Sequence, residues 1–66
     1  MAVPLKLAFL ALRDYGIEAS IIRDTHLALL SGERISWSPL QKYKVRTNEG
    51  VIMYDDLDAL IKALAE

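Results

Sequence analysis

The sequence predicts a single small α+β domain over residues 1–66, with an amino-terminal helix, an antiparallel meander of three to four strands and a carboxy-terminal helix. Both helices are expected on one face of the sheet. Three observations point there: helical periodicity at the two ends of the chain, short β-branched and aromatic runs in the middle, and turn residues where each run must stop.

The first helix is expected over residues 5–15. Pro4 suits a first helical position, where its fixed φ is already right and its missing N–H would have had no partner. Arg13 in the last turn, Gly16 as a left-handed C′ residue and Ile17 as an apolar C″ residue together predict a Schellman stop. Leu5, Ala8, Phe9 and Leu12 make one apolar stripe, but Leu7, Leu10 and Ala11 carry the apolar surface well past it. Only Lys6, Arg13 and Asp14 are charged.

From residue 17 the period changes to that of strands. Residues 17–23, 27–30, 34–37, 42–47 and 51–54 are the strand runs. Asp24-Thr25 is a turn, and Ser31-Gly32-Glu33 and Asn48-Glu49-Gly50 are hairpin loops. Pro39 ends the run before it. The last helix is expected over residues 56–65, with Asp55 as N-cap and Asp58 at N3. Leu57, Leu60, Ile61 and Leu64 form its buried stripe, and Asp58, Lys62 and Glu66 its wet face.

Composition narrows the function classes. The chain has 66 residues and no cysteine, so it is near the size at which packing alone struggles to hold a fold and it lacks a disulfide to help. One histidine cannot close a zinc site. No cofactor or metal is expected. Yet 53% of the residues are apolar, more than so small an interior needs. The net charge of −1 provides no general attraction to nucleic acid or an anionic membrane. The apolar amino-terminal run is too short to span a bilayer and lacks a basic leader, so no membrane association is expected and the cytoplasm is the default compartment.

No catalytic constellation stands out. His26 with Asp24 or Asp14, and Ser20 or Ser31 as nucleophile, are types found in most chains, without an elbow motif to join them. A domain this small also has little room for a pocket of several hundred Å³. Asp55, Asp56 and Asp58 are explained by helix capping, with no glycine-bearing loop to wrap a cation. Trp37 alternates with Ile35 and reads as core more simply than as an exposed anchor. In residues 42–46 the alternation puts Lys42, Lys44 and Arg46 on one strand face, with Arg34 expected beside them.

Two functional expectations follow. The first is a non-catalytic protein-interaction module, a regulator, adaptor or inhibitor of a larger protein, that is itself a homodimer and uses Leu7, Leu10 and Ala11 as its interface. The alternative is a small nucleic-acid-binding module using Arg34, Lys42, Lys44 and Arg46. An enzyme with a small-molecule substrate is not expected. Small proteins of this layout are common among phage and mobile-element products, an expectation of size class and not of motif.

Overall fold

A computed structural model describes residues 2–65. Its elements are α1 (Val3–Asp14), β1 (Ala19–Ile22), β2 (His26–Leu29), β3 (Arg34–Ser38), β4 (Lys42–Thr47), β5 (Gly50–Tyr54) and α2 (Leu57–Ala65). The strands form one antiparallel sheet in the order β1-β2-β3-β4-β5, so each strand pairs with its neighbour in the chain. All five strand runs become strands, where three to four were expected. The first run shortens to four residues because Ile17 and Glu18 are used in leaving the helix.

That exit is a Schellman closure. Ile17 N–H donates to the Leu12 carbonyl at 2.9 Å, and Gly16 N–H to the Arg13 carbonyl at 3.0 Å. Gly16 sits at φ 78°, a conformation in which a Cβ would crowd the following carbonyl. At its other end the helix starts two residues earlier than expected, at Val3, with Pro4 still inside the first turn. Ala2 is the N-cap and has no polar side chain to accept from the first turn, so the proline is the main start signal.

The register puts the core-forming side chains on one sheet face, while Ile22, Ala28, Val51 and Met53 alternate to the other. Ile21, Leu27, Ile35, Val45 and Ile52 lie opposite one another across the five strands. Leu29, Trp37 and Tyr43 lie two residues along on the same side. Leu27, Leu29, Ile35, Tyr43 and Val45 are buried there in one cluster with Leu5, Ala8 and Leu12 of α1 and Leu60 and Ile61 of α2. Both helices therefore cover that face and leave the other one open. Trp37 is half-buried against the core. Tyr43 ties the layers together, its hydroxyl donating to the Pro4 carbonyl at 3.0 Å. Burial, reinforced by the charge of Asp56, raises the pKa of this phenol.

The second helix is capped one residue later than expected. Asp56, not Asp55, is the N-cap, its Oδ1 accepting from Ala59 N–H at 2.8 Å. Asp58 therefore sits at N2 and makes no capping box. Three aspartates at spacings of one and two satisfy the same cap rule, and only the path of β5 into the helix selects among them. Glu66 lies outside the described residues.

Candidate interaction surfaces

Helix α1 is apolar on the side away from the sheet as well as on the side against it. Leu5, Ala8 and Leu12 are buried, and Val3, Leu7 and Leu10 lie across the helix from them. These three are 68%, 49% and 42% exposed, which for a surface helix is the face normally given to charged residues. Ala11 belongs elsewhere. It is half-buried, packs against the core, and lines a groove between the helices with Tyr15, Leu57 and Ile61. The expected trio of Leu7, Leu10 and Ala11 is thus two exposed leucines and one alanine that supports the contact with α2. Ala11 follows Leu7 by a full turn, so sequence spacing alone puts them on one face; the position of α2 separates them. The groove holds about 440 Å³.

The open sheet face carries a group of cations on β3 and β4, beside the exposed apolar Val51 and Met53 of β5. Arg34 lies directly opposite Arg46 in the β3–β4 register, and Lys44 lies opposite Ser36, which in turn faces His26 on β2. Arg34, Lys44, Arg46, Ser36 and His26 line one shallow depression of about 130 Å³. Lys42 follows the same alternation but enters β4 at φ 55°, outside the depression. The four cationic residues expected together are therefore three that converge and one at the strand's start. Composition hides the matching absence: none of the five strands contains an aspartate or a glutamate. All the acids of the described chain lie in helices, turns or loops.

A third concavity was not expected from the sequence. A partly open cleft of about 550 Å³ lies between the end of α1 and the β1–β2 hairpin, so the domain does have room for a hollow of several hundred Å³. Its polar lining comprises Arg13, Glu18 and Ser20. Of the residues weighed for nucleophilic chemistry, only Ser20 reaches it. His26 is on the open sheet face, hydrogen-bonded through Nδ1 to the Thr25 hydroxyl at 2.7 Å, and Ser31 bonds Glu33 in the β2–β3 loop.

Among the described residues no group of three or more histidine, aspartate or glutamate side chains is placed to hold a metal ion, and no helix is long and apolar enough to cross a membrane. Compared with known proteins, the chain matches no family model, no curated protein and no solved structure.

Proposed function

We propose that this protein is a non-catalytic interaction module that works as a homodimer, associating through its helical layer and acting as a regulator or adaptor of a larger protein. The observation that carries the reading is the outer face of α1. Val3, Leu7 and Leu10 recur at spacings of four and three, the seam spacing of helices that pack lengthwise on one another. A second copy of α1 running antiparallel about a two-fold axis sets Leu7 against Leu10 of the second copy and Leu10 against Leu7, and opposes the two helix dipoles. The groove beside Tyr15, Leu57 and Ile61 widens the apolar surface towards the roughly 800 Å² per partner of a stable interface.

Sedimentation velocity at about 10 μM tests this, because a dimer with a micromolar Kd is well populated there. The parent chain is expected to sediment as a dimer. Leu7→Glu combined with Leu10→Glu is expected to sediment as a monomer with an unchanged far-UV spectrum. A parent that stays monomeric at ten times that concentration overturns the reading.

A further inference from the structure

We infer that the open face of the sheet is a binding site for the phosphate backbone of nucleic acid, centred on Arg34, Lys44 and Arg46. The inference is independent of how the helical layer associates, because the two surfaces lie on opposite sides of the sheet.

The first argument is the register. Arg34 and Arg46 are direct cross-strand neighbours, a position in which side chains leave the sheet only about 5 Å apart and like charges repel. Lys44 is two residues from Arg46 on the same face, about 6.7 Å along the strand. Three cations share one shallow depression, and no strand of the sheet contains a carboxylate. An anion placed between them removes the repulsion and forms charge-assisted hydrogen bonds with both guanidinium groups.

The second argument is shape. The depression, about 130 Å³, is too small for a nucleotide and suits a single phosphate group. The cations continue beyond it along β4 to Lys42, at a repeat close to the separation of successive phosphates in a nucleic-acid strand. A linear polyanion thus meets a row of cations instead of a closed pocket.

The third argument is what the face lacks. The aromatic side chains of the sheet, Trp37, Tyr43 and Tyr54, all alternate to the helix-covered side, so no tyrosine or tryptophan platform is available for stacking bases. Recognition by this face is recognition of the backbone, without sequence preference. The chain's overall charge of −1 is a sum over the whole molecule and does not describe this face, whose strands carry no acid.

Fluorescence anisotropy with a labelled mixed-sequence 12-nucleotide strand, as DNA and as RNA, and with the corresponding duplex, tests the proposal. At about 25 mM salt at least one of these probes is expected to bind. With three phosphate contacts on a single strand the logarithm of affinity falls with the logarithm of salt at a slope of about −2, so binding at about 150 mM salt is roughly 40-fold weaker. Lys44→Gln combined with Arg46→Gln is expected to weaken binding at the lower salt at least tenfold and to flatten the slope by about 1.4. Lys62→Gln, which removes one positive charge from α2, leaves binding unchanged. Since Arg46→Gln also removes a like-charge pair, its melting temperature is expected to equal or exceed the parent's, which separates lost binding from lost structure. The proposal is overturned if no probe binds at low salt, if the Lys44/Arg46 pair variant binds as the parent does, or if a ten-residue polyglutamate competes as well as the oligonucleotides.

Discussion

The two helices of this domain share one job and meet its terms differently. Helix α2 follows the amphipathic rule: Leu60 and Ile61 are buried, Leu57 and Leu64 half-buried, and its exposed positions are Asp58, Ala59, Lys62, Ala63 and Ala65. Helix α1 buries Leu5, Ala8 and Leu12 and then presents Val3, Leu7 and Leu10 to water. One interior satisfies both helices, and only one has apolar surface left over. An element that spends large aliphatic residues outside the core is shaped by something other than the stability of its own protomer.

The sharpest way to break that comparison is to truncate leucines on the two sides of α1. Leu12→Ala, in the fully buried seam, is expected to cost about 2–5 kcal/mol, and Leu60→Ala in α2 the same. In so small a domain either loss approaches the whole stability, and urea unfolding should show little folded baseline. Leu7→Ala is expected to change the stability of the monomer by under about 0.5 kcal/mol. Equal costs at Leu7 and Leu12, measured below the concentration of association, would show that the helices do not differ.

The helices also differ in how they are terminated. Gly16→Ala puts a side chain at φ 78°, and a loss above about 1 kcal/mol is expected, or a fall of roughly 5 °C or more in Tm. Asp56→Ala removes the hydrogen bond to Ala59 N–H and is expected to cost about 1 kcal/mol, with Asp55→Ala and Asp58→Ala each costing less. The aspartate whose removal lowers Tm most identifies the cap directly.

A modest effect joins the layers. Tyr43→Phe removes the hydroxyl's hydrogen bond to the Pro4 carbonyl and is expected to cost roughly 0.5–1 kcal/mol. It also carries a pH signature. Because burial and then Asp56 raise the folded pKa, the protonated phenol is favoured by folding. Its stabilisation is complete below the unfolded value of about 10 and is lost as pH rises through the folded one. Alkaline titration of stability should therefore steepen above about pH 10 in the parent and less so in Tyr43→Phe.

Much of this was legible in the residues. Arg13-Asp14-Tyr15-Gly16-Ile17 states a helix stop so completely that its two hydrogen bonds follow from the identities alone. The alternation of Lys42, Lys44 and Arg46 with Tyr43 and Val45 likewise assigns the faces of β4, since a strand's side chains alternate whatever surrounds it. Other features were not legible for equally plain reasons. Three nearby aspartates compete for one cap. Ala11 has the same spacing from Leu7 whether or not another helix lies beside it.

Local rules, acting over one turn of helix or two residues of strand, determined the element order, the helix stop after Asp14 and which side chains share a face. These depend on backbone geometry, which each short segment carries with it. Tertiary structure decided the rest: that Arg34 meets Arg46, that Ala11 is taken up beside α2 while Leu7 and Leu10 are not, and that a cleft opens behind Gly16. Such pairings depend on which distant segments come together, and that is settled by loop lengths and by competition for a single small interior.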